Sequence, residues 1–173
     1  MTLEAAVIQK LKAQKIILCT IESCTGGLIA HLLTNVPGAS EVFWGSWVTY
    51  DNSSKINLGV LEKTISFNGA VSQEVAIELA LHGLRALEAA LSQSPSSSLI
   101  KSKNLIALST TGIAGPGGGS LKKPVGLCYS SIVSIKSPPQ TISIQAPANL
   151  DRIQTKTHFS QRALELVLNY ETG

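Results

Sequence analysis

Charged side chains are few in this sequence: Asp, Glu, Lys and Arg make up 14% of its 173 residues. The formal net charge is only +3 and no basic run stands out. That excludes a long tract of nucleic acid as the main partner and leaves room for a small anionic ligand. No apolar run is long enough to cross a bilayer, and the N-terminus lacks a signal-peptide pattern. The expectation is a cytoplasmic protein with no membrane partner. Cysteine is scarce too. Cys19, Cys24 and Cys128 are odd in number and lack metal-ligand spacing. They read as free thiols in a reducing compartment, with no metal and no cofactor implied. The three histidines, His31, His82 and His158, all fall within helical patterns and none lies in a candidate loop.

What is present is apolar patterning: 44% of the residues are hydrophobic, enough for one compact domain over residues 1–173. Thr2 can cap a first helix with Leu3, Val7, Ile8 and Leu11 on one side. Residues 16–21 form a nearly continuous apolar strand, buried on both faces. Residues 22–27, ESCTGG, turn the chain into a helix that runs to about Asn35, where Pro37-Gly38 ends it. Residues 42–50, VFWGSWVTY, are aromatic and β-branched and read as a second strand. A short helix through Lys55 and Leu58 stops at Gly59. Ser72 is the N-cap expected for the longest helix, along which Val75, Leu79, Ala86 and Ala90 recur. Residues 92–98, SQSPSSS, form a low-complexity surface loop. A third strand spans 104–109, followed by a Gly-rich loop over 110–124. Strands at 125–135 and 140–146 are joined across Ser137-Pro138-Pro139, so briefly that they must be antiparallel neighbours. A final helix covers about 150–169. Strands alternating with helices and then a hairpin predict a three-layer α/β/α fold with a mixed, mostly parallel sheet of about five strands.

In such sheets ligands bind beyond the carboxyl ends of the parallel strands. The loops expected there, 22–27, 51–55 and 110–124, are also the chemically richest in the chain. Ser23 sits on a tight turn beside free N–H groups that could hold an oxyanion, or else it caps the next helix together with Thr25. His31 lies about 12 Å further along that helix, too far to serve as its base. Lys55 is the better candidate base, provided that burial keeps it neutral, as in Ser-Lys variants of the triad. Otherwise it is a solvated surface lysine. Cys24 is an alternative nucleophile without an obvious partner. Glu22 could orient a base or a substrate group, or simply place a favourable charge at the helix start. The Gly115–Gly119 run could wrap a phosphate, although it is not a Walker loop. Thr110 and Thr111 at its mouth offer hydroxyls. Tyr50 and Arg152 are further candidates for holding an anion.

Taken together, ESCTGG (22–27), VPGAS (36–40), VTY (48–50) with Lys55, GAVSQEVA (69–76), TGIAGPGGG (111–119), KPVG (123–126) and Asp151-Arg152 resemble the CinA carboxy-terminal domain family, whose stand-alone members include nicotinamide mononucleotide deamidases. The resemblance spans nearly the whole chain. It implies an amide hydrolase that needs no metal, with a small-molecule mononucleotide as substrate and a homodimer as its assembly. It implies Ser23 as nucleophile and Lys55 as general base, with Tyr50, Thr111 and Arg152 in support. Substrate contacts are expected from Glu22, Thr25, Gly26, Gly27, Gly112 and Gly115. The sequence departs from the family pattern at Ser53-Ser54, where an acidic neighbour of the lysine is lost, and at Leu121-Lys122, Leu150 and Lys156. A non-catalytic nucleotide-binding or competence-associated interaction protein of the same fold is the alternative.

Overall fold

The computed structural model describes residues 1–93 and 104–171. The expected low-complexity loop lies largely outside the described residues, beyond Ser92, which ends a helix. At the centre runs β1 (Ile16–Glu22), buried along its whole length. Parallel to it on either side lie β2 (Phe43–Val48) and β3 (Asn104–Gly112). Next come β4 (Leu127–Ser134), antiparallel to β3, and β5 (Gln140–Gln145), antiparallel to β4. The order is β2-β1-β3-β4-β5, so four strands point one way and β4 runs against them. This is the mixed sheet the sequence predicts. Glu22 pairs with Val48 on one side and Thr110 on the other, so the carboxyl ends of three strands are level.

Successive side chains of β1 point to opposite faces, and each face has its own core. Ile16 and Leu18, with Ile106 and Leu108 of β3, are covered by α1 (Leu3–Ala13), α2 (Leu28–Thr34) and α6 (Arg152–Asn169). Ile17, Cys19 and Ile21, with Leu105 and Ala107, are covered by α5 (Gln73–Ser92). Two short helices, α3 (Asn52–Leu58) and α4 (Glu62–Asn68), pack against α5. The three layers follow. α5 lies so close to the sheet at Gly83 that a Cβ there would stand 2.6 Å from Ile21 Cγ1.

Several boundaries differ from expectation. β3 continues through Thr110, Thr111 and Gly112, because pairing with β1 and β4 outweighs the loop-like composition. α4 carries no clear apolar stripe; only Thr64 is buried. It is held instead from outside: Glu78 of α5 accepts the Leu61 N–H (2.9 Å) and the Thr64 hydroxyl (2.7 Å). Along α5 the buried stripe runs through Val75, Ala76, Leu79, Ala80, Gly83, Leu84 and Leu87, while Ala90 is exposed. Ser72 caps α5 as expected, accepting from Val75 N–H at 3.3 Å. Thr2 precedes α1 without a side-chain cap. Asp151 caps α6 in a reciprocal box with Gln154, a local signal the sequence carries openly. Among the described residues no helix is long and apolar enough to cross a membrane.

Candidate active site

The turn between β1 and α2 is built by glycine and by one buried carboxylate. Gly26 and Gly27 adopt φ of +63° and +90°, conformations in which a Cβ would be strained. Glu22, wholly buried, reaches forward under the turn. Its carboxylate accepts the N–H groups of Gly27 (2.9 Å), Ile29 (3.1 Å) and Ala30 (2.8 Å). These are the donors that a helix start leaves unpaired, and the negative charge also suits the helix dipole. Glu22 therefore serves α2. This corrects the expectation of a substrate contact, because the carboxylate is turned inward and its oxygens are occupied.

The remaining N–H groups of the turn divide sharply. Ser23 N–H donates to Thr110 O (3.1 Å), and Gly26 N–H donates to Ser23 O (3.1 Å). The N–H groups of Cys24 and Thr25 have no acceptor among the described residues. They lie immediately after the Ser23 hydroxyl, where an oxyanion formed by its attack would need donors. The Thr25 side chain faces the other way, buried against the Thr110 hydroxyl at 2.9 Å. That bond pins the turn to β3, so Thr25 can meet a substrate through its backbone alone.

Thr111 differs from expectation in the same manner. Its side chain is 1% exposed and its hydroxyl donates to Ala70 O at 2.7 Å. It ties β3 to the segment entering α5 and presents no free hydroxyl to the cleft. Gly112 does border the cleft, and its lack of a side chain has a structural cause. A Cβ there would lie 2.8 Å from Leu127 O on the neighbouring strand.

Above the turn is a cleft of about 280 Å³ lined by Ser23, Cys24, Tyr50, Gly112, Gly115 and Arg152, together with Ile113, Ala114, Gly117 and Gly118. Five of the expected site residues thus meet on one surface. Arg152 closes one side: it donates to the Tyr50 hydroxyl (2.6 Å) and to the Gly115 carbonyl. The start of α6, the end of β2 and the Gly-rich loop are joined through this one guanidinium. Lys156, one helical turn beyond Arg152, stands over Gly26, where a Cβ would be 3.3 Å from its Nζ. Residues four apart lie on the same face of a helix, so the two cations are neighbours.

Lys55 does not line the cleft; it is buried beside it, only 2% exposed. Its Nζ donates to the carbonyls of Thr49 (2.9 Å) and Tyr50 (3.2 Å) at the end of β2. Among the described residues no carboxylate pairs with it. Burial lowers its pKa below the ordinary lysine value, against smaller opposing pulls from Cys24 and Asp51. Asp51 is engaged elsewhere, capping α3 through Ser53 N–H at 2.8 Å. A neutral amine has two N–H donors and one lone pair. The two carbonyls can take up both donors of the neutral form.

The chain matches known proteins along nearly its whole length. A model of the CinA C-terminal domain matches residues 1–170. A CinA-like protein of Chloroherpeton thalassium is 43% identical over 169 residues, covering 96% of this chain and 37% of that protein. A CinA-like protein of Chlorobaculum tepidum is 41% identical over 171 residues, with 96% and 37% covered. The chain thus spans little more than a third of the length of these curated relatives. Among solved structures, the competence/damage inducible protein CihA from Agrobacterium tumefaciens superposes with a TM-score of 0.82 at 33% identity, covering 97% of this chain and 94% of that one. The chain belongs to the CinA C-terminal domain family.

Proposed function

We propose that the protein is an amide hydrolase that converts nicotinamide mononucleotide and water to nicotinate mononucleotide and ammonia, through an acyl-enzyme on Ser23 with Lys55 as base. The observation that carries this reading is Lys55: a buried amine, held by two carbonyls, without a carboxylate partner among the described residues, at the same sheet end as Ser23. A buried ammonium is costly unless compensated, and at 2% exposure Lys55 has only the two carbonyls for that, which favours the neutral form a base needs.

The proposed steps are these. Neutral Lys55 takes the Ser23 hydroxyl proton as Oγ attacks the carboxamide carbon. The developing oxyanion meets the N–H groups of Cys24 and Thr25, which are preorganised by the turn and need no rearrangement. The carbon–nitrogen bond breaks, and protonated Lys55 supplies the proton that releases ammonia. Water then attacks the acyl carbon, giving its proton to Lys55, and the acid departs with Ser23 restored. Arg152 provides a cation at the cleft for the phosphate of the mononucleotide, oriented by its bond to Tyr50, and Lys156 adds a second positive charge over the neighbouring turn at Gly26.

Ammonia release from a panel of amides, with nicotinamide mononucleotide among them, tests the proposal. Ser23→Ala and Lys55→Ala are expected to lose turnover by at least ~10³-fold while keeping native circular dichroism. Full activity in either variant sinks the mechanism. Binding of the mononucleotide by pure wild-type protein without turnover favours a binding protein instead.

A further inference from the structure

Cys24 follows the nucleophile and plays no chemical part in the steps above. It nonetheless has a partner. Its Sγ lies 3.7 Å from the Sγ of Cys128, both side chains being buried. The two come from residues 104 positions apart in sequence, and they sit in a small apolar cluster with Ala114, Ile144, Ala146 and Phe159. Their accessibilities differ. Cys24 borders the cleft, whereas Cys128 is wholly enclosed. Their anchoring differs as well. Cys128 is laddered on both sides, to Gly112 and to Ile144. Cys24 lies in a turn that continues into Gly26 and Gly27, and its own N–H has no acceptor among the described residues. The third thiol, Cys19, faces the other core, under α5.

We propose that Cys24 and Cys128 are a peroxide-sensitive thiol pair whose disulfide switches off the Ser23 site. The Cys24 sulfur, reached through the cleft, gives up its proton and attacks one oxygen of hydrogen peroxide. The O–O bond breaks, leaving a sulfenic acid on Cys24 and a hydroxide that takes a proton to become water. The Cys128 sulfur then gives up its proton, attacks the Cys24 sulfur and expels the second water. Two thiols are oxidised and one peroxide is reduced. Cys24 borders the cleft and takes the first step, and Cys128, enclosed behind it, can only be the resolving partner.

The consequence for the site is geometric. A sulfur–sulfur bond of about 2.05 Å requires the two atoms to close by roughly 1.7 Å. The β-ladder holds Cys128, so the turn yields. Cys24 carries one of the two free N–H donors next to Ser23, and a displacement of about 1 Å at such a position costs on the order of 100-fold in rate. Because the loss of catalysis rests on the amidase reading, the bond itself is read separately.

The experiment treats wild-type protein and Cys128→Val with hydrogen peroxide. Free thiols are then blocked and peptides are mapped by mass without reduction. The wild type is expected to show a Cys24–Cys128 crosslink lighter by two hydrogens, with Cys19 still free. Its ammonia release falls at least ~10-fold and is restored by dithiothreitol. Cys128→Val is expected to retain basal activity, form no crosslink and resist the same peroxide dose. Cys128→Ala, checked by circular dichroism, stands in if the valine variant does not fold. Absence of the crosslink in wild type overturns the proposal. So does a crosslink that leaves activity unchanged, or equal peroxide sensitivity in the Cys128 variants. Crosslinking in a protein that releases no ammonia when reduced overturns the amidase reading and, with it, the switch.

Discussion

Glu22 separates a structural role from a substrate role by measurement. In the wild type one buried carboxylate accepts three backbone N–H groups at 2.8–3.1 Å, with the Ser46 hydroxyl more distant at 3.4 Å. Glu22→Ala leaves those donors facing a cavity at the start of α2. A buried donor stripped of its partner costs about 1–3 kcal/mol, and the three are not additive because water can enter the gap, so a total of about 3–4 kcal/mol is expected. For a chain of this size each kcal/mol lowers Tm by roughly 2–4 °C, which places the Glu22→Ala transition about 6–16 °C below the parent. Glu22→Gln keeps one acceptor oxygen and turns an NH₂ toward at least one N–H, so it is expected to fall between the two. Thermal melts by circular dichroism, with KM and kcat measured well below the lowered Tm, provide the readout. Turnover should fall with stability, because the same turn carries Ser23 and its neighbouring donors. A Glu22→Ala protein that melts within about 2 °C of wild type while KM for the amide rises steeply would refute the reasoning and return Glu22 to the substrate.

Lys55 makes a prediction with a definite sign. As a base it works unprotonated, so kcat/KM is expected to rise with pH through a pKa below the ordinary lysine value of about 10.4. Lys55→Arg, which cannot shed its proton, should be as inactive as Lys55→Ala. The unfolded chain binds more protons at Lys55 than the folded one between the lowered and the ordinary pKa. The Lys55 contribution to stability therefore rises with pH across that window and is lost below it, a slope that Lys55→Met removes from denaturant titrations. Tyr50→Phe and Arg152→Ala break one hydrogen bond from its two ends. Each should raise KM for a phosphorylated substrate, and the double variant should lose less than the sum, with stability changed by no more than about 1 kcal/mol. Equal additive losses would show that the two residues act separately. Gly83→Ala forces a Cβ against Ile21 and should destabilise by about 1–3 kcal/mol. Ile21→Val in the same chain should recover part of the lost Tm, and no recovery would place the strain elsewhere.

The boundary differences share one cause. Thr110, Thr111 and Gly112 have the composition of a loop mouth, yet they are strand because β4 pairs with all three and β1 with Thr110. α4 lacks a periodic apolar face and survives because Glu78, on another helix, accepts its first-turn donors. In both cases the decisive partner is remote in sequence, and no local pattern reports it.

Residues 16–21 read as a buried strand, the glycine turn after it as a sharp reversal, and Ser72 as the head of the longest helix, because periodicity and turn chemistry are local properties of the chain. The family pattern likewise lies open in the sequence, since its motifs are short and ordered. What only the tertiary structure decided is which way each polar group faces. Glu22, Thr25 and Thr111 lie in the richest motifs, yet their side chains are occupied by α2, by Thr110 and by Ala70. Cys24 looked solitary and has Cys128 within 3.7 Å. Lys55 could equally have been a solvated cation, and it is a buried amine on two carbonyls. A sequence specifies which groups a loop carries. Whether such a group meets solvent, substrate or its own backbone depends on the register of a sheet whose strands are set by contacts across the whole chain.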